Sequence, residues 1–170
     1  LSAALNGASP SVIATSRFTV TALPGPAARG WVRVASDRRY FETTDGQALR
    51  LIGENVCWPR AGGTFDSEQW FTRMQQSGQN FARLWLAPWW AGLEHTPGTL
   101  TNYRLDGAWQ LDRVFDLAEA RGLYLLLCLD HHGMYMATDQ AWGGSNNFWP
   151  RNPYARENGG PCASPNEFFT

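Results

Sequence analysis

Apolar and polar positions along the chain change period several times, and each change marks an element. Leu51 to Trp58 reads as a buried strand that ends in polar and aromatic residues. Asp66 then has the chemistry of a helix N-cap, with Gln69 three residues on and Phe65 placed to staple onto Trp70. Trp70, Phe71 and Met74 supply that helix's apolar stripe, and Gly78 stops it. Period two returns at once. Phe81, Arg83 and Trp85 share one face of a strand, and Ala82, Leu84 and Leu86 share the other. A second helix is predicted from about Asp106 to Arg121, with Ala108, Leu111, Phe115 and Ala118 as its apolar face and Gly122 as its stop. Leu123 to Leu129 is apolar without alternation, the pattern of a strand covered on both faces, and it breaks off at Asp130-His131-His132-Gly133.

Ahead of this series lies a hairpin pattern, Trp31 to Val34 against Tyr40 to Thr43, with Asp45-Gly46 as the turn into Ala48 to Ile52. Upstream, Arg17 to Thr21 alternates as one strand, and Leu23-Pro24-Gly25-Pro26-Ala27-Ala28 has linker composition. The expected organisation is therefore the end of an upstream β-domain over residues 1–23, a linker over 24–30, and one α/β unit over 31–170. Strand, helix, strand, helix, strand permits an open doubly wound sheet or a closed (β/α)8 barrel, and both collect ligands at strand C-termini. No G-x-G-x-x-G and no P-loop motif is present, and the hairpin suits a plug on a barrel's bottom. The fold expected is thus the N-terminal part of a TIM barrel, about three βα units plus the bottom hairpin. It covers about half of the ~250 residues that a full barrel needs.

Composition narrows the function. The chain has 170 residues, 44% hydrophobic and 17% charged, with a formal net charge of -1, so it carries no electrostatic footprint for nucleic acid or an anionic membrane. No run reaches the ~20 apolar residues of a membrane span. It opens without Met and stops at Phe168-Phe169-Thr170 as a new helical pattern begins, so a piece of a longer protein is expected. Cys57, Cys128 and Cys162 lack metal-ligand spacing. The first two fall on strands separated by another strand, too far apart to bridge, so all three are expected as packing residues.

Candidate chemistry centres on Arg83. A guanidinium between two aromatic rings on one strand face needs a carboxylate or a polar cavity. Two readings stay open: a structural ion pair, or a site whose acids lie elsewhere in the chain's fold. The tryptophans favour the second. Trp58, Trp85, Trp89, Trp90, Trp142 and Trp149, with Tyr135, all fall in or beside segments that follow strand C-termini, where flat rings can pack on a pyranose. Trp70 and Trp109 fall on helices and are expected in the core. Little supports a metal reading of His131-His132, because neighbours on an extended chain point to opposite sides and no H-x-H is present. No cofactor is implied.

Three segments in register resemble a known family. Gly53-Glu54-Asn55-Val56-Cys57-Trp58, Gly78 to Trp85 with its N-x-x-R, and Leu129-Asp130-His131-His132 resemble the first three strands of cellulase- and mannanase-like retaining enzymes related to glycoside hydrolase family 5. Asn152-Pro153-Tyr154, Gly159-Gly160-Pro161 and Glu167-Phe168-Phe169 resemble a subgroup whose barrel follows a β-sandwich of the domain-of-unknown-function 5060 type. The resemblance implies a secreted O-glycosyl hydrolase acting on a β-linked polysaccharide. It implies that Arg83 supports a nucleophilic glutamate, that His131 or His132 lines a sugar subsite, and that Glu54 and Asn55 belong to the first-strand loop. The family's catalytic glutamates end the fourth and seventh strands, which this chain lacks, so the chain alone is expected to be inactive. The second reading is a carbohydrate-binding protein on the same scaffold, and a third is a barrel enzyme acting on another polar small molecule. A carbohydrate is the expected partner, with neither nucleic acid nor membrane, and the oligomeric state is unassigned.

Overall fold

The computed structural model describes residues 30–138 and 146–170. The expected strand at Arg17 to Thr21, most of the linker and Trp142 lie outside them. Two three-stranded sheets are present among the described residues. The first is antiparallel and built from β1 (Val32–Val34), β2 (Phe41–Thr43) and β3 (Ala48–Leu49). Its turn falls at Asp45-Gly46 as the sequence predicts, with Gly46 at φ 85° and the Thr43 hydroxyl bonded to the Asp45 carboxylate.

The second sheet is parallel, in the order β4 (Gly53–Cys57), β5 (Phe81–Trp85) and β6 (Tyr124–Cys128). Helices α1 (Thr64–Gln76) and α2 (Leu105–Glu119) make the crossovers that parallel pairing requires. Two residues show why the strands start level. Asn80 accepts from the Ile52 amide at 2.9 Å and donates to the Arg50 carbonyl at 3.0 Å, so one amide group aligns the entries to β4 and β5. Gly53 lets the strands close up, since a Cβ there would stand 1.6 Å from the Phe81 carbonyl oxygen.

Both helices lie on one face of this sheet. Phe71 and Met74 of α1, and Val114, Leu117 and Ala118 of α2, bury Ala82, Leu84 and Leu86 of the arginine strand, with Val56, Leu125 and Leu127 at the margins. The period-two reading of β5 is therefore correct, and its second face is plain packing. The other face carries Asn55, Arg83 and Leu126, which are in register across the three strands.

Four local expectations are corrected. Leu126 is 45% exposed and Gly53 to Asn55 are exposed, because the described residues cover only one face of the sheet. Gly63, and not Asp66, is the N-cap of α1, and Phe65 is exposed, with no staple onto Trp70. The Asp66 carboxylate instead accepts from the amides of Arg60 at 2.9 Å and Gly62 at 3.1 Å, folding the β4–α1 loop back on the helix's first turn. Asp66→Ala should lower stability by about 1 kcal/mol, read as a shift in urea midpoint at unchanged slope.

The last correction concerns α2, which buries Gly107, Val114, Leu117 and Ala118 and leaves Phe115 and Trp109 exposed. Its rotation is set at its N-terminus. Gly107 packs on the backbone of the β5–α2 loop, where a Cβ would lie 2.6 Å from the Gly92 carbonyl oxygen, and Gln110 accepts from the Ala91 amide. Trp109 is thereby turned out of the core. Cys57, Cys128 and Cys162 are all free thiols, half-buried or buried. No helix of the described residues is long and apolar enough to cross a membrane.

Candidate active site

The strand C-termini gather one cluster of rings and charges. Trp85 is the last residue of β5, Trp58 follows β4, and His131 follows β6, so parallel pairing brings all three to one end of the sheet. Trp58 packs edge-on against Trp85 at 6.0 Å and against Trp89 at 4.9 Å. His131 lies 4.9 Å from Trp89, 5.8 Å from Trp85 and 6.1 Å from Trp58. The Arg83 guanidinium stands 4.5 Å above the Trp85 ring.

Arg83 is half-buried, and among the described residues no carboxylate lies within ion-pair distance of it. Its contact with Trp85 is a cation–π interaction, so no carboxylate among the described residues neutralises its charge there. The Trp85 indole Nε1 is also buried without an acceptor.

The structure distinguishes the two histidines. His131 is 3% exposed and caps the short 3-10 turn that follows, its Nδ1 accepting from the Gly133 amide at 3.1 Å. That bond places the proton of the neutral ring on Nε2. Burial, then the neighbouring His132 and His95, push its pKa down to about 4. His132 is exposed, although its ring stays 4.3 Å from that of His131.

A second layer of polar contacts fixes the loops that carry these rings. His95, buried in the loop after β5, donates from Nε2 to Asp130 at 3.2 Å, and the Tyr135 hydroxyl donates to the other Asp130 oxygen at 2.7 Å. Burial pushes the Asp130 carboxyl up, but the hydrogen bonds from His95 and Tyr135 outweigh it and hold the group below the usual carboxylate range. Next to His95, Glu94 accepts from the Thr101 amide and from the Tyr154 hydroxyl, both at 2.7 Å. Burial and these carboxylates push the Tyr135 and Tyr154 phenols up, so both remain protonated donors. Asn152, fully buried, donates to the Met134 carbonyl and accepts from the Tyr154 amide, which seats residues 148–158 under the same loops.

The remaining sequence candidates divide. Trp58, Trp85 and Trp89 join Arg83 and His131, and Trp89 is 46% exposed. Asn55 shares the open face, one strand over from Arg83. Trp90 is 6% exposed and belongs to the main core, because the tight turn Ala87 to Ala91 folds it inward. Trp149 is buried in a small core of its own with Ala155 and Cys162, and Tyr135 stacks on Phe168 and Phe169. Glu54 pairs with Ala82 in register and accepts from Gln79 at 2.9 Å, which puts it at the opposite end of the strands from the cluster. His95 and Phe148 were not legible in advance, since both sit in loops without periodicity. Among the described residues no group of three or more His, Cys, Asp or Glu could hold a metal ion.

Fold and site together define a parallel βα unit whose strand C-termini present an indole, imidazole and guanidinium surface. No family model matches the chain. It is 31% identical over 125 residues to a protein of Neosartorya fischeri named "Probable mannan endo-1,4-beta-mannosidase F", an alignment covering 64% of this chain and 27% of that protein. The chain thus spans about a quarter of the length of that curated relative. A solved glycoside hydrolase family 5 protein from Bacteroides vulgatus superposes with a TM-score of 0.44 at 15% identity, covering 60% of this chain and 24% of the other.

Proposed function

We propose that this chain supplies the first strands of a (β/α)8 glycoside hydrolase of family 5 type that cleaves a β-linked polysaccharide of the mannan or glucan kind. The observation that carries the reading is the Arg83 guanidinium, half-buried over Trp85 and unpaired among the described residues. Such a group is stable when a carboxylate completes it, and a nucleophilic glutamate from a later strand meets that need. The exposed Trp89 face suits the apolar face of a pyranose. The relative's name, a mannan mannosidase, agrees in substrate class.

In this reading the enzyme retains configuration, through two carboxyl groups about 5–5.5 Å apart. Glu94 and Asp130 are not that pair. Each is held by hydrogen bonds, and Asp130 is held ionised, which unfits it as a general acid. Both catalytic glutamates are assigned to strands outside this chain, the antiparallel hairpin to the barrel's bottom, residues 1–23 to a preceding sandwich, and the whole protein to the extracellular space. His131, neutral with its proton on Nε2, is assigned to a sugar hydroxyl beside the cleaved bond.

Full-length protein should release reducing ends from β-mannan or β-glucan with retained anomeric configuration by NMR, and the 170-residue chain alone should release none above a vector control. Turnover by the chain alone would defeat the assignment of the glutamates. Full-length protein that binds these glycans and never cleaves them would establish the non-catalytic carbohydrate-binding reading.

A further inference from the structure

Beside the aromatic cluster lies a cleft of about 230 Å³, whose walls include Trp89, Phe148 and Pro97 and whose polar groups come from His95, Thr96 and Arg151. It is smaller than the ~300 Å³ at which drug-sized pockets begin, room for about one ring. The Arg151 guanidinium stands 5.4 Å over the Phe148 ring, and among the described residues no carboxylate pairs with it. The acids of the adjoining loops are engaged with other partners and neither pairs with Arg151: Glu94 is occupied by Tyr154 and Thr101, and Asp130 by His95 and Tyr135. The cleft therefore offers aromatic walls and one uncompensated positive charge. A neutral sugar would satisfy the walls and leave the charge to water.

Trp89 connects this cleft to the cluster. Its ring is 5.7 Å from Phe148 on the cleft side and 4.9 Å from both Trp58 and His131 on the other. A ring seated in the cleft would thus neighbour one seated on the cluster, as successive units of one glycan do.

We infer that this cleft is a subsite for a sugar unit bearing a carboxylate, a uronate, which Arg151 engages in the bidentate manner that a guanidinium permits while Trp89 and Phe148 hold the ring. The inference rests on the glycan-binding reading and adds to it a specificity for acidic chains. The test uses matched oligosaccharides, one set neutral and β-linked, the other the same set oxidised at C6 to a uronate, titrated calorimetrically into the full-length protein. Wild type should bind the uronate set about tenfold more tightly, and the preference should shrink as salt rises from about 0.05 to about 0.5 M. Arg151→Gln should abolish the preference and leave neutral binding unchanged, and Arg151→Lys should keep part of it. Arg151 is exposed, so neither variant threatens folding. Equal binding of the two sets by wild type, or equal losses on both in Arg151→Gln, would overturn the subsite while leaving the glycan reading intact. No binding of either set overturns both.

Discussion

In the proposed hydrolase, Arg83→Lys should lower kcat of the full-length protein by about 100-fold, the size typical of removing one preorganised electrostatic contact. Arg83 shares β5 with Trp85, near the end where the aromatic cluster gathers, and its guanidinium is fixed at 4.5 Å over that ring. The proposed partner is an ionised nucleophile, held by charge-assisted hydrogen bonds that an ammonium does not copy bidentately. Losing them raises the nucleophile's pKa and loosens its aim, and both act on the chemical step. KM and melting temperature should change little, since the Ala82 and Leu84 face of β5, which carries the core packing, is untouched. A variant that unfolds while its folded fraction keeps normal kcat would make Arg83 a structural ion-pair member and remove the main support for the hydrolase reading.

The second large effect belongs to His131 and appears in stability against pH. Its pKa falls from the ordinary 6.5 to about 4 in the folded state, so the native protein favours the neutral ring. Between those values the unfolded chain binds the proton that the native state refuses. Stability should therefore be complete above pH 6.5 and decline as pH falls to about 4, by at most about 3 kcal/mol. Asp130 acts elsewhere on the scale: its pKa is lowered, so its contribution is present above the usual carboxylate range and is lost only below it. Urea unfolding of wild type and His131→Gln at intervals from about pH 7 to about pH 4 separates the two. The substitution should flatten the curve above pH 4. An unchanged slope would show that the buried ring takes up its proton without penalty.

Much of this arrangement was legible in the residues alone. The two faces of β5, the Asp45-Gly46 turn, both helices, and the gathering of Trp58, Trp85, Trp89 and a histidine, His131 or His132, at the strand ends all follow from local period and punctuation. The need of Arg83 for an acidic partner or a polar cavity was legible too, but the residues alone left open whether a structural ion pair meets it. What failed were statements about which side of an element meets its neighbour. Trp109 and Phe115 occupy helical positions that read as core, yet α2 turns them outward because Gly107 and Gln110 fix its rotation against the Gly92 and Ala91 backbone. Trp90 reads like its neighbour Trp89, but the turn at Ala87 sends one ring inward and leaves the other on the surface.

The sequence by itself determined the order of strands and helices, and which residues stand at the strand C-termini. Those properties depend on near neighbours in the chain. Only the tertiary structure decided that His131 and not His132 is the buried ring, that Glu94 and Asp130 are occupied, and that Arg151 meets Phe148 beside Trp89. Each of these is a contact between loops, closed across as many as 60 residues by Tyr154 and Glu94. No period in the sequence records such a contact, because the loops are placed by the sheet and helices they connect and not by any pattern of their own.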